Sequence, residues 1–112
     1  MTRPVHIALP AEHRRLVVNI LRANLPQSTK TWVFGSRATG RARRYSDLDL
    51  AIDAGRPLTL DEIAGLAEAF SDSGLPYKVD LADWRNIDGR WQQTIMAERV
   101  ALTEAAQTVT RK

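Results

Sequence analysis

The chain has 112 residues, of which 44% are hydrophobic and 26% charged, and it contains no cysteine. This length and composition suit one folded domain with its own core rather than a disordered segment. The lack of cysteine excludes disulfide bonds and thiolate metal sites, and no apolar run approaches the roughly 18 residues of a membrane span. The first fifteen residues also lack the apolar centre of a secretory signal, so we expect a cytoplasmic protein without membrane contact. A formal net charge of +3 does not by itself predict nucleic-acid binding.

The first half of the chain predicts one helix and two strands. Apolar side chains recur on one helical stripe across residues 10–24, and Pro26 follows. Residues 29–35, TKTWVFG, are rich in β-forming side chains and stop at a glycine, whereas residues 46–52, SDLDLAI, alternate in the manner of a half-buried strand. The ten-residue link between these strands is short for a parallel crossover, so we expect them to pair antiparallel.

The second half predicts two helices around a third strand. Thr59 and Glu62 have the spacing of a capping box, which starts a helix that runs to Gly74. Residues 77–83, YKVDLAD, form the third strand, and the preceding helix permits a parallel crossover from the second strand. Asp88 opens the last helix, and the sequence VALT after it adds a short edge strand.

The predicted fold is therefore α/β, a small mixed sheet with flanking helices in the order α-β-β-α-β-α, with a short turn or helix between the first two strands. We expect a single domain over residues 1–112, with its core from about 10 to 104. The tail from 105 to 112 is expected to be flexible.

One stretch, FGSRATGRARRYSDLDLAID at residues 34–53, combines a glycine–serine pair, four arginines and closely spaced aspartates. Gly35 and Ser36 lie where a strand meets a short helical turn, and such a junction presents backbone N–H groups to an anion. Gly40 allows the chain to turn again. A Gly-Ser pair alone is more often just a turn, so the fragment needs support from the acidic residues that follow.

Those acidic residues fall on neighbouring strands. Asp47 and Asp49 are two positions apart and project to the same face of the predicted second strand. Like charges at this distance are unfavourable unless a cation lies between them, and Mg²⁺ prefers carboxylate and phosphate oxygens. Asp80 joins them if the third strand pairs beside the second, although Asp83 competes for that place until the register is known. Three carboxylates beside a phosphate-binding turn suit two-metal nucleotidyl transfer.

Other conspicuous residues have weaker claims. Four arginines surround the turn, and each alone is more simply a solvated side chain. Arg37, next to Ser36, has the best claim to a phosphate. The three tryptophans are most simply core anchors, and nothing in the sequence selects one of them to stack on a base. Asp53 shares the acidic face of the second strand but lies further along it. Asp53 either supports the metal-binding acids from outside or simply ends the strand. The remaining arginines and the tryptophans are Arg41, Arg43, Arg44, Trp32, Trp84 and Trp91.

These residues resemble the nucleotidyltransferase superfamily that includes DNA polymerase beta, whose pattern is a Gly-Ser pair, a further Gly, an Asp-x-Asp and a later acid. The resemblance covers roughly residues 12–102 and is closest to the minimal nucleotidyltransferases, or MNT domains, which Ala38 and Ser46 also match. It implies that the nucleotide binds at Gly35, Ser36, Arg37 and Gly40, and that Asp47, Asp49 and Asp80 are catalytic and hold the metal.

The resemblance also implies a reaction and a partner. The cofactor would be Mg²⁺, or Mn²⁺ in its place, and the substrate ATP or another nucleoside triphosphate. MNT domains commonly act as antitoxins that transfer AMP to a tyrosine hydroxyl of a HEPN-domain toxin. Two alternatives stay open: neutralisation of the partner by contact alone, and transfer to a small molecule. The short chain leaves little room for an acceptor domain, so a partner or a second copy of the chain would complete the site.

Overall fold

The computed structural model describes residues 7–102. The predicted tail, 105–112, lies outside the described residues, as does the end of the VALT segment. The described part contains four α-helices, four β-strands and one 3₁₀ turn at Trp84–Asn86. In chain order the helices and strands are α1 (Ala11–Asn24), β1 (Lys30–Phe34), α2 (Ser36–Thr39), β2 (Leu48–Asp53), α3 (Leu60–Ser71), β3 (Val79–Asp83), α4 (Gly89–Glu98) and β4 (Val100–Ala101).

The strands form one mixed sheet in the order β3-β2-β1-β4. β1 and β2 are antiparallel, as the short link between them predicts, and β4 adds an antiparallel edge strand to β1. β2 and β3 are parallel, with α3 as the crossover between them. The predicted mixed sheet with flanking helices is therefore confirmed.

The two faces of the sheet carry different layers, because alternate strand residues point to opposite sides. Leu48, Leu50 and Ile52 of β2 belong to the main hydrophobic cluster, which also contains the buried residues of α1 and α3. The other face holds a smaller cluster, in which Ala51 packs with Phe34 of β1 and Ile95 of α4. The helices α1 and α3 thus cover one face, and α4 covers part of the other.

The starts of β2 and β3 each lie two residues after the predicted ones. β2 begins at Leu48 rather than at residue 46, because the Ser46 N–H donates to the Arg43 carbonyl at 3.1 Å and closes a turn. The Leu48 N–H then makes a bond to the Lys78 carbonyl at 2.9 Å. Asp47 therefore lies just before the strand instead of within it. β3 likewise begins at residue 79 rather than 77.

The start of α3 follows the predicted capping box. The Thr59 hydroxyl accepts the Glu62 N–H at 3.0 Å, and the Glu62 carboxylate accepts the Thr59 N–H at 2.9 Å. Arg56 adds a paired hydrogen bond to the same carboxylate, with N···O distances of 2.9 and 2.8 Å. This arrangement fixes the beginning of the crossover helix, and with it the path from β2 to β3. Across residues 7–102, no helix has both the length and the apolar character needed to cross a membrane.

Candidate active site

A sharp turn joins β1 to α2 at Gly35. This residue has φ +75°, a conformation that favours glycine, and a Cβ atom here would collide with Asp49 Oδ2. Two constraints therefore require glycine at this position: the backbone turn and the carboxylate beside it. The missing side chain lets the turn and the acid come together on one face of the sheet.

Asp49 and Asp80 lie side by side across the parallel strand pair. The register of β2 and β3 places Asp49 directly opposite Asp80, and the register of β1 and β2 places Phe34, the residue before Gly35, opposite Asp49. The sheet thus aligns the Gly35 turn, Asp49 and Asp80 in neighbouring strands.

The charge around Asp49 is strongly negative. Burial, together with the negative charges of Asp80, Asp47 and Glu98, raises the pKa of Asp49 to about 6. Asp47 is exposed and outside the strand, yet it is near enough to contribute to this effect. Lys78 offsets part of the charge of Asp80 from an N···O distance of 3.4 Å, but both of these side chains are well exposed. The ionised form of Asp49 is therefore unfavourable in the free chain.

An open cavity of about 370 Å³ lies over this part of the sheet. The Trp91 side chain forms one wall, 43% exposed, with its ring edge-on to Phe34 at a centroid distance of 5.8 Å. The cavity joins the turn, the two strand acids and the inner side of α4 in one space. Its lining residues are Phe34, Gly35, Asp49, Asp80, Leu81, Ala82, Trp91, Thr94 and Glu98.

The register distinguishes Asp80 from Asp83. Asp83 pairs with Ile52 at the far end of the strands, and its carboxylate accepts the Leu58 N–H at 2.9 Å and the Arg85 N–H at 3.4 Å. The Asp83 carboxylate therefore binds backbone N–H groups away from the site, whereas Asp80 lies beside Asp49. Asp53, at the end of β2, forms an ion pair with Arg85 at 2.8 Å, which lowers the pKa of Asp53.

Arg37 and Gly40 lie in different surroundings from those predicted. The Arg37 side chain is buried, with only 4% exposure, and its guanidinium donates to the carbonyls of Ser46, Ala8 and Arg44 at 2.7–3.2 Å. It also lies 4.1 Å from the Tyr77 ring centroid. Arg37 therefore secures the loop before β2 and does not face the cavity beside Asp49. Gly40, with φ +81°, ends α2 and is likewise outside that cavity.

Glu98 is a site residue that sequence reasoning missed. It is the last residue of α4, and its Oε1 accepts the Gly35 N–H at 2.8 Å. The two residues are 63 positions apart, and no motif in the sequence connects them. Only the packing of α4 against the sheet, through the fully buried Ile95, brings this carboxylate to the turn.

The donor set fits a hard divalent cation that is completed by a ligand. Within residues 7–102, no three Asp, Glu or His side chains lie close enough to enclose a metal ion by themselves. Mg²⁺ is usually bound by one or two carboxylates together with substrate phosphates and water, so a protein-only cage is not expected. The raised pKa of Asp49 and the open cavity beside it are consistent with such a site.

Comparison with known proteins places this geometry in a family. The profile described as Polymerase beta, Nucleotidyltransferase matches residues 17–108, which is most of the chain. The chain belongs to this nucleotidyltransferase family. The resemblance on which the sequence prediction rests is thereby confirmed, and the family in general implies a nucleoside triphosphate substrate and a divalent metal.

Relatives of this nucleotidyltransferase are similar along most of its length. The protein named probable protein adenylyltransferase MntA from Haemophilus influenzae is 39% identical over 109 residues, which cover 97% of this chain and 95% of that one. A chain in a toxin–antitoxin crystal structure with AMP-PNP aligns with a TM-score of 0.69 at 29% identity, covering 80% of this chain and 72% of that one. A complex of a tri-AMPylated Shewanella oneidensis HEPN toxin with its MNT antitoxin aligns with a TM-score of 0.62 at 26% identity, covering 84% and 71%.

Proposed function

We propose that this chain is an antitoxin that transfers AMP from ATP to a tyrosine hydroxyl of a HEPN-domain toxin, with Mg²⁺ as the cofactor. The observation that carries the proposal is the alignment of the Gly35 turn with Asp49 and Asp80 on adjacent strands. Similarity to proteins named as protein adenylyltransferases, and to a complex with an AMPylated HEPN toxin, supports the choice of nucleotide and acceptor. A cytoplasmic location remains a prediction from the sequence.

In this proposal Gly35 and Ser36 bind the triphosphate through backbone N–H groups and the Ser36 hydroxyl. Asp47, Asp49 and Asp80 would hold the cations, whose chemistry would be to neutralise charge on the α-phosphate and on the departing pyrophosphate. The tyrosine oxygen attacks the α-phosphorus, a new P–O bond forms, and the bond to pyrophosphate breaks. In this proposal Asp80 accepts the hydroxyl proton.

The raised pKa of Asp49 has a role in this account. A carboxylate with unfavourable surroundings in the free chain gains more from a cation than one that is already paired. Asp53 on the same strand differs from Asp49, because its negative charge is already paired with Arg85 and its pKa is lowered. Asp49 is therefore proposed as a metal ligand, and Asp53 is not.

The test is transfer of label from α-³²P-ATP with Mg²⁺ into protein, using lysate of cells that carry the gene as the source of acceptor. We expect one labelled band, which mass spectrometry identifies as AMP on a tyrosine of a HEPN-domain protein. The double variant Asp47→Asn/Asp49→Asn should remove the band, whereas Asp53→Asn, which removes an acid from the end of the same strand, should keep it. A parallel reaction with γ-³²P-ATP should give no band.

Three results would count against the proposal. Label that comes from the γ-phosphate would indicate phosphoryl transfer. Label found only on a small molecule would favour the small-molecule acceptor. Full neutralisation of the toxin by the double variant, without label on any protein, would favour binding by contact alone.

A further inference from the structure

The Glu98 carboxylate occupies the turn that the proposed function assigns to phosphate. Its Oε1 accepts the Gly35 N–H at 2.8 Å, which is the type of hydrogen bond that a phosphate oxygen would make there. Gly35 lies at φ +75°, so the direction of this N–H is set by the turn. An oxygen of the nucleotide and the carboxylate of Glu98 cannot use the same N–H group with full strength at the same time.

Glu98 adds a negative charge to the site beside Asp49. The carboxylate lines the same cavity as Asp49 and Asp80, and its negative charge opposes ionisation of Asp49. Among residues 7–102 no lysine or arginine forms an ion pair with Glu98. The hydrogen bond from Gly35 therefore holds an acid in a site that already has an excess of negative charge.

The backbone around Glu98 is well anchored. Ile95, one turn earlier in α4, is fully buried against the sheet. The next residue, Arg99, places its guanidinium 4.1 Å from the Trp32 ring centroid and 5.0 Å from that of Trp84. Release of the Gly35 N–H therefore requires only rotation of the Glu98 side chain, which is rapid, and no movement of the helix.

We propose that Glu98 occupies the phosphate position of the Gly35 turn in the free chain, so that a nucleotide binds by displacing this carboxylate. The inference rests on the proposed function, because it takes the Gly35 turn as the phosphate site. Glu98 thereby sets the affinity for nucleotide: it keeps the turn closed to weakly bound anions and yields to a triphosphate that brings its own cation.

The experiment measures the affinity of the chain for α,β-methylene-ATP with Mg²⁺, a probe that binds without turnover. Glu98→Ala removes the competing acceptor and its charge, and Glu98→Gln removes the charge alone. We expect Kd to fall about tenfold in Glu98→Ala, equivalent to about 1.4 kcal/mol, and by less in Glu98→Gln. Glu68→Gln, which removes an exposed acid from α3 on the other face of the sheet, should leave Kd unchanged.

A second readout follows the Gly35 amide by NMR. The nucleotide analogue should shift this resonance in the wild type, and Glu98→Ala should shift it in the absence of nucleotide, while resonances of the main core stay in place. A merely structural role for Glu98 would not give tighter binding together with a local change at Gly35.

The remaining outcomes are distinct. Equal or weaker binding in both Glu98 variants, with the wild type binding normally, would overturn the inference alone. Failure of the wild type and of every variant to bind nucleotide would overturn the proposed function and this inference with it. Binding by the Glu98 variants where the wild type shows none would support both.

Discussion

The two faces of the sheet divide the work of the molecule. The face under α1 and α3 is filled with aliphatic and aromatic side chains, among them Leu50 and Leu66, which are fully buried. The face toward α4 has only a small apolar cluster, and the acids Asp49 and Asp80 lie beside it. One face therefore supplies the hydrophobic stability, and the other holds charges at a cost in stability.

This difference shows how a small domain can support an unfavourable site. Like charges and an open cavity contribute nothing to folding, so the opposite face has to compensate for them. Substitutions on the two faces should then have opposite effects, and the expected size of the effect decreases from the main core to the single acid.

The largest expected effect on stability is that of Leu66→Ala, in α3. It removes a fully buried side chain from the main cluster and should lower the free energy of unfolding by about 3 kcal/mol. Leu60→Ala on the same helix is the control, because Leu60 is 84% exposed and should change stability by less than about 0.5 kcal/mol. Equilibrium urea denaturation measures both. Similar losses in the two variants would contradict the assignment of the core to this face.

The next effect distinguishes an arginine that secures the loop from one that binds phosphate. Arg37→Met removes the hydrogen bonds to three backbone carbonyls and should cost about 2 kcal/mol of stability. The affinity of the folded protein for nucleotide should stay close to that of the wild type. Arg43→Met, at an exposed position, is matched in charge loss and should change stability little. Weaker nucleotide binding by Arg37→Met at normal stability would return Arg37 to the phosphate site.

The smallest expected effect is an increase in stability, and it comes from substitution of Asp49. The pKa of Asp49 in the folded state, about 6, is above its ordinary value of 3.8, so ionised Asp49 destabilises the fold at neutral pH. Asp49→Asn should therefore raise the free energy of unfolding at pH 7 by up to about 1 kcal/mol in the metal-free protein, allowing for solvent screening. Unfolding in EDTA at several pH values provides the measurement.

The pH dependence gives the control for this prediction. The wild type should gain stability relative to Asp49→Asn as pH falls through about 6, because protonation removes the unfavourable charge. Asp53→Asn on the same strand should lose stability at neutral pH, because the pKa of Asp53 is lowered by Arg85. If Asp49→Asn were less stable than the wild type at pH 7, the negative charge of Asp49 would not be unfavourable in the fold, and the prediction would be contradicted.

The parts of the site that lie on strands could be predicted from the sequence. Alternation within β2 and β3, the short link after β1 and the crossover helix predict that Asp49 shares a face with an acid of β3 if the two strands are neighbours. The choice between Asp80 and Asp83 needed the register, which a sequence pattern does not contain. The sequence pattern predicted Asp47 within β2, but Asp47 lies just before the strand, because the Ser46 N–H closes a turn with the Arg43 carbonyl and the Arg37 guanidinium binds the Ser46 carbonyl.

Long-range contacts account for what the sequence could not predict. The burial of Arg37 depends on the carbonyl of Ala8 and the ring of Tyr77, which come from distant parts of the chain. In the sequence it is one of four arginines in a loop, with no signal that separates it from the others. The contact of Glu98 with Gly35 could not be predicted for the same reason, since only the packing of α4 brings the two residues together.

The measurement that tests the central claim most directly is AMP transfer by Asp80→Asn and Asp83→Asn, compared at equal concentrations of folded protein. The two acids lie three residues apart in β3, Asp80 as its second residue and Asp83 as its last, and the substitutions remove the same charge. Asp80→Asn should reduce transfer to background, whereas Asp83→Asn, whose acid caps the backbone at Leu58, should lose stability and keep its activity. Normal transfer by Asp80→Asn, or loss of transfer by folded Asp83→Asn, would contradict the pairing of Asp49 with Asp80 as the catalytic centre.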